Sequence, residues 1–458
     1  MSSWSHDAIF YHIYPLGLLD APLENAIEAP AVSRLPGLAS WAPHIRDLGV
    51  NALYLGPLFE SGTHGYDTID YRRVDRRLGT NEDLRALVET FHQHGIRVVL
   101  DGVLNHVSRE FPQFRDLRER GEFSRYRDWF VNVTFGQKSP FGDPFIYDGW
   151  SGHLNLVKLN LANPEVREYL FGVVRQWFAE FGIDGLRLDA ADVMDKAFLR
   201  DLAAVCREAN PDCWLIGEIV VGNYAEWAGP GMLDSVTNYE AFKGLYSSLN
   251  DRNLFEIAWS LNREFGPEGV YRGLPLYNFA DNHDVDRVAS LLKNGDDLFP
   301  LYAMLFTMPG VPSIYYGSEW GYSGKKQGGD DGPLRPAFAW PVARETMERP
   351  ELMPWIARLA AIRHETPAIQ VGDYLQLHVA AEQFAFLRHM QHESQSAVVV
   401  INAASIPATL SLPVPAIPDG TVLTDAIDIS YTVCVKDGAI DLGAVPAATT
   451  RILRTAIL

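Results

Sequence analysis

Short runs of β-branched, aromatic and aliphatic residues recur along the chain. Each is followed by a stretch with apolar positions three and four apart, an alternation that predicts a parallel sheet whose strands are joined by helices. Eight runs stand in order, at residues 8–14, 52–58, 97–103, 185–190, 214–220, 235–238, 276–281 and 311–316. Eight is the number that closes a (β/α)8 TIM barrel, in which chemistry gathers at the C-terminal strand ends because the following loops converge there. Between the third and fourth runs, residues 106–163 are too long for an ordinary connection and are rich in Phe and Trp, which predicts an inserted subdomain. Beyond a helical pattern at 353–364 come alternating segments at 374–379, 384–389, 397–401 and 408–412. They are punctuated by Pro413, Pro418, Asp419 and Gly420, as in an all-β sandwich. The division expected is barrel over 1–106 and 164–370, insert over 107–163 and C-terminal sandwich over 371–458.

Composition narrows the function classes. The 458 residues are 47% hydrophobic and 21% charged, enough for a large core, and disorder is excluded. A net charge of -19 repels phosphate backbones and anionic lipid surfaces, so neither nucleic acid nor membrane is an expected partner. A neutral substrate feels no such penalty. No apolar window reaches the roughly 18 residues of a membrane span, and MSSWSHDAIF is no secretory leader, so a cytoplasmic location is expected. Asn132-Val133-Thr134 matches a glycosylation acceptor and is discounted for the same reason. Cys206, Cys213 and Cys434 have no metal-type spacing and are expected to be free, buried thiols.

Four strand ends carry polar clusters: DGVLNH at 101–106, GLRLD at 185–189, Gly217-Glu218 and FADNHD at 279–284. One aspartate after a strand is most often a helix cap. Four clusters on strands three, four, five and seven meet on one barrel face, which argues for catalysis. Asp189, Glu218 and Asp284 would share that face, and paired carboxylates across a sugar linkage are the apparatus of glycoside hydrolysis. Arg187, two residues before Asp189, leaves the strand on the same side and would keep that carboxylate ionised as a nucleophile. Glu218 follows an apolar run with no cation adjacent in sequence, a setting that raises a pKa toward that of a general acid. His106 and His283 could donate to sugar hydroxyls. Tyr66 and Asp67 offer a ring face and an acceptor, with a tyrosine packed on the barrel rim weighed equally. Residues 321–332, GYSGKKQGGDDG, read equally as a loop over the mouth or a solvated connector.

In order and spacing, DGVLNH, GLRLDAAD, GEI and FADNHD resemble the four signature regions of the α-amylase family of glycoside hydrolases, and LVKLN at 156–160 resembles its fifth. The resemblance covers about residues 8–365. THGYDTIDY, FPQFRDLRERGEFSRYRDWF and MLDSVTNYEAF are most similar to the cyclomaltodextrinase, neopullulanase and maltogenic amylase group. It implies Asp189 as nucleophile, Glu218 as acid/base and Asp284 as stabiliser of a distorted sugar, and it assigns Tyr66, His106, Arg187 and His283 to the cleavage subsite. Asp67 and Arg287 complete the expected substrate-binding set. The retaining chemistry of the family implies the two reacting carboxyls about 5 to 5.5 Å apart.

The chain departs from the group in three ways. The barrel begins at about residue 8, so the usual dimer through an extra N-terminal domain is not expected and the oligomeric state is left open. Asp192-Val193 and Val220-Val221 replace the usual Asn-Glu and Trp-His pairs, so the acceptor side must differ. The loop at 16–25 lacks the oxygen-rich pattern that holds calcium in several relatives, although Asn105 sits where another family site has a ligand. No cofactor is expected, and calcium is allowed but not predicted as required. The leading expectation is a retaining hydrolase of α-1,4-glucosidic bonds in cyclic or short malto-oligosaccharides, with cyclic maltosyl-maltose hydrolase a candidate. The alternatives are a glucan transferase or trehalose-forming isomerase of the same family, and a noncatalytic carbohydrate-binding protein.

Overall fold

The eight apolar runs form eight strands of one parallel sheet in a computed structural model that describes residues 3–392 and 395–455. They are β1 (Phe10–Ile13), β2 (Ala52–Leu55), β3 (Arg97–Gly102), β4 (Gly185–Leu188), β5 (Trp214–Gly217), β6 (Ser235–Val236), β7 (Tyr277–Phe279) and β8 (Val311–Tyr315). Their order is β6-β5-β4-β3-β2-β1-β8-β7, and a parallel bridge from Thr237 to Tyr277 closes the ring. Every strand ends earlier than its apolar run, because the last residues leave the ladder and turn over the barrel mouth.

Alternate side chains of each strand fill the lumen. Phe10, Tyr54, Val99, Trp214, Ile216 and Phe279 form a closed cluster there, with Phe10 stacked on Trp214 at 5.2 Å. The intervening residues, such as Tyr11, Leu53, Leu100, Leu186 and Leu215, join the larger core between sheet and helices. The barrel is therefore solid below its mouth. Side-chain caps fix where the outer helices begin. Thr80 and Asp83 form a reciprocal capping box at Asn81–Gln93, and Asn163 and Asp195 cap Pro164–Phe181 and Lys196–Ala209.

Between β3 and β4, the strand His106–Ser108 pairs antiparallel with His153–Lys158, which in turn pairs with Gly149–Trp150. Phe114 packs against Phe130, Phe145 and Tyr147 beneath this small sheet, with ring centroids 5.0, 5.9 and 4.9 Å away. The result places Trp150 beside His106 at the barrel mouth, 5.7 Å between rings.

The C-terminal part is antiparallel: β9 (Asp373–Val379), β10 (Gln383–Met390), β11 (Gln395–Asn402), β12 (Ala408–Pro413), β13 (Val422–Asp425), β14 (Thr432–Cys434), β15 (Ala439–Val445) and β16 (Thr449–Thr455). Six strands in the order β9-β10-β11-β16-β13-β14 face the pair β12-β15 across Leu387, Val398, Leu412, Ile440 and Leu453. The fold is a TIM barrel with a C-terminal β domain. All three thiols are free; Cys206 and Cys213 are buried, whereas Cys434, on an edge strand, is only half-buried. Among the described residues no helix is long and apolar enough to cross a membrane.

Candidate active site

The centre of the mouth is one guanidinium. Arg187 on β4 lies in register with Asp101 on β3 and Ile216 on β5, and it points into the barrel, where it is almost fully buried. Its Nη1 donates to Asp101 at 3.0 Å and to Asp189 Oδ1 at 3.0 Å, and its Nη2 pairs with Glu218 Oε1 at 2.8 Å. The period of two along β4 puts Arg187 and Asp189 on one side, as the sequence implied. Glu218, lacking a cation in its own sequence neighbourhood, receives this one from the adjacent strand.

Ala190 follows Asp189 in the left-handed region, with φ 49°. Its N–H thereby donates to the other oxygen of Glu218, Oε2, at 3.0 Å. A non-glycine residue in this conformation costs free energy, and here it lies between two reacting-group candidates. Burial pushes the Asp189 carboxyl well above the ordinary carboxylate range; Arg187 opposes this, while Glu218, Asp101 and Asp284 add to it. Burial also raises Glu218, again against Arg187. Two carboxyls on one cation titrate as a unit.

Asp284 is the opposite case. Burial pushes it upward, but His283, Arg335 and Arg187 outweigh that and hold it far below the ordinary range. His283 Nε2 is 2.9 Å from Asp284 Oδ2, and Arg335 Nη2 donates to Oδ1 at 3.0 Å. Arg335 also donates through Nε to the His283 carbonyl at 3.0 Å and lies over the Tyr14 ring at 4.6 Å. No motif marks Arg335, which follows the Gly-rich segment 321–332. Only the return of that segment to the mouth, where Asp331 also meets Arg335 at 2.9 Å, brings it to Asp284.

The remaining predicted residues fall into two sets. His106 has its Nε2 3.8 Å from Asp189 Oδ2, and burial lowers its pKa to about 3, so the ring is neutral. Tyr66 donates to Asp101 Oδ2 at 3.0 Å, makes a second contact with His283, and stacks nearly parallel on that ring at 5.4 Å. Its ring is thus packed on the rim beside the site. Asp67 and Arg287 are placed differently from the expectation of substrate contact. Asp67 accepts from Thr63 N and Oγ1 at 3.1 and 3.0 Å, closing its own loop. Arg287 is fully buried and donates to the carbonyls of Tyr316 and Leu334 at 2.7 Å each, with its guanidinium 3.9 Å from the Tyr315 ring centroid. It holds the loops behind the site. A polar residue in a mouth loop can turn inward to satisfy other protein groups, and spacing does not reveal which way it turns.

Asp101 also belongs to the site, although in sequence it is only one member of the first polar cluster. Tyr54 and Tyr66 donate to its Oδ2 at 2.7 and 3.0 Å, and Arg187 completes its shell. Its position on the inward face of β3 was the available signal.

Calcium does not fit the first loop. The main-chain oxygens of Pro22, Leu23 and Thr63 converge instead on the Arg77 guanidinium. Asn105 is buried with Nδ2 beside His106 Nδ1, and among the described residues no group of three or more His, Cys, Asp or Glu is placed to hold a metal.

A TIM barrel with buried carboxylates arrayed around one arginine at its C-terminal mouth defines a glycoside hydrolase of the barrel class. The family model described as alpha amylase, catalytic domain, matches residues 28–383, and the chain belongs to the α-amylase family. It is 33% identical over 424 residues to a cyclomaltodextrinase of Bacillus sp, covering 87% of this chain and 73% of that protein. It is 30% identical over 402 residues to an intracellular maltogenic amylase of Bacillus subtilis, covering 84% and 66% respectively. Among solved structures it is similar to the cyclic alpha-maltosyl-(1→6)-maltose hydrolase of Arthrobacter globiformis, with TM-score 0.79, 29% identity and full coverage of both chains.

Proposed function

We propose that this protein is a retaining hydrolase of α-1,4-glucosidic bonds in cyclic or short malto-oligosaccharides. The observation that carries the reading is the shared guanidinium: Arg187 touches both Asp189 and Glu218, so the two carboxyls face one small space. In this reading Asp189 attacks the anomeric carbon, its charge supported by Arg187. Glu218 passes a proton to the leaving glycosidic oxygen and then takes one from the incoming water, which attacks the anomeric carbon and releases Asp189. Asp284, fixed as an anion by His283 and Arg335, holds the sugar while positive charge grows on its ring.

The substrate class follows from the relatives, whose names specify cyclomaltodextrins, maltogenic cleavage and cyclic maltosyl-maltose. The intracellular maltogenic amylase supports a cytoplasmic location, and no metal is assigned a role. Proton NMR of the first product formed from a cyclomaltodextrin tests the proposal. Initial release of the α-anomer, abolished by Asp189→Ala in a protein with an unchanged melting curve, is the expected result. A β-anomer, new linkages in place of hydrolysis, or full activity of Asp189→Ala overturns it.

A further inference from the structure

Beside the mouth, where Arg335 lines its wall, lies a cavity of about 360 Å³ bordered by Tyr14, Leu23, Thr63, His64, Asp331 and Arg335. It continues the site, because Arg335 reaches Asp284 and the Tyr14 ring lies nearly parallel to His283 at 5.9 Å. Its outer wall is the loop after β1, of which residues 22–24 and 26–33 are exposed. With so little apolar burial, that wall is held mainly by polar contacts.

Those contacts converge on Arg77. Nε donates to Asp75 Oδ1 at 2.9 Å, and Nη1 donates to the carbonyls of Pro22, Leu23 and Thr63 at 2.9, 3.0 and 2.6 Å. Nη2 donates to Ser61 Oγ at 2.8 Å and to Asp75 Oδ2 at 2.7 Å. Six oxygens thus surround one guanidinium whose side chain is only 5% exposed. They come from the first loop, from the segment leading to Tyr66, and from Asp75. A planar five-donor fork can satisfy such an array, and a lysine ammonium with three donors at a single point cannot.

We propose that Arg77 is a positioning residue: an internal organic cation around which the wall of this cavity is assembled, so that the cavity accepts the glucose unit beyond the one being cleaved. Arg77 needs no contact with the reacting atoms. It fixes the Pro22–Leu23 and Thr63 main chain on which the second sugar rests, and its loss weakens substrates in proportion to their use of that unit.

The proposal rests on the reading of Asp189, Glu218 and Asp284 as the cleavage site, and the test separates the two. Activity on 4-nitrophenyl α-maltoside, which places a sugar in the cavity, is compared with activity on 4-nitrophenyl α-glucoside, which does not. In Arg77→Ala, kcat/KM on the maltoside is expected to fall at least about tenfold further than on the glucoside, mainly through KM, as the loss of a charged hydrogen-bond cluster would give. Millimolar guanidinium is expected to restore part of the difference, and Arg77→Lys is expected to lie between. If Arg77→Ala does not fold, the maltoside-to-glucoside ratio of Arg77→Lys decides. An equal loss on both substrates, or a folded Arg77→Ala that guanidinium leaves unchanged, overturns the proposal. A wild-type protein inactive on both substrates overturns the underlying reading instead.

Discussion

Arg187 Nη2 lies 2.8 Å from Glu218 Oε1, although the two residues belong to different strands. The parallel register of β4 and β5 produces this contact by setting Arg187 opposite Ile216, two positions before Glu218. The same guanidinium reaches Asp189 and Asp101, so three carboxylates share one buried cation. Removing the cation would leave like charges facing one another in a site of low polarity, where each interaction is stronger than in water.

Arg187→Lys keeps a positive charge but loses the fork that touches three carboxylates together. We expect kcat on a cyclomaltodextrin to fall about 10²- to 10³-fold, the usual cost of losing a preorganised electrostatic contact. Steady-state kinetics on protein with an unaltered circular dichroism spectrum would check it, and a change within twofold would remove Arg187 from the mechanism.

Arg335, with His283 and Arg187, holds Asp284 ionised. Arg335→Gln should raise the Asp284 pKa, so that its carboxylate protonates at a higher pH as acid is added. Because that pKa starts far below the carboxylate range, both limbs of the kcat/KM profile should stay in place while kcat/KM falls about tenfold at every pH. An acid limb that moves upward, or an unchanged kcat/KM, would overturn this expectation.

Ala190 is held at φ 49° so that its N–H meets Glu218. A β-branched residue tolerates this region poorly, whereas glycine adopts it freely. Ala190→Val is expected to lower unfolding stability by about 1 to 3 kcal/mol and to reduce kcat, and Ala190→Gly to do neither to that extent. Urea unfolding paired with kinetics distinguishes these outcomes.

Glu264 is buried behind the barrel, with one oxygen accepting from Asn238 Nδ2 at 2.9 Å and the other, Oε1, lacking a hydrogen-bond partner among the described residues. Burial raises its pKa from 4.5 to about 8. An acid raised on folding binds its proton more tightly in the folded state. Its burial is therefore without penalty below about 4.5, and stability is lost as pH climbs from there to about 8, by up to ~1.4 kcal/mol per pH unit. Glu264→Gln should flatten this dependence and be the more stable form at pH 8. Chemical denaturation of both proteins at pH 5 and pH 8 would show it; parallel losses in the two would count against a titrating Glu264.

Much of the protein is legible in its amino-acid sequence. The eight apolar runs are the eight barrel strands, because an inward and an outward core impose apolarity on every residue of a buried strand. The four polar clusters end β3, β4, β5 and β7, because a polar run after a buried strand can lie only at its solvent-facing end. The common orientation of Arg187 and Asp189 followed from the two-residue period alone. These features are local: backbone geometry and hydrophobic burial fix them within a few residues.

Tertiary structure decided the rest. Arg335 meets Asp284 across 51 positions because a glycine-rich loop folds back over the mouth, and its sequence favours no single path. Arg287 and Asp67 resemble ligand contacts in sequence but satisfy backbone groups instead. Glu218 gains its cation from a neighbouring strand, and Arg77 gathers oxygens from three segments. Such contacts depend on strand stagger and loop closure, where the energy of satisfying buried polar groups is shared over residues remote in the chain. Periodicity carries no record of that sharing.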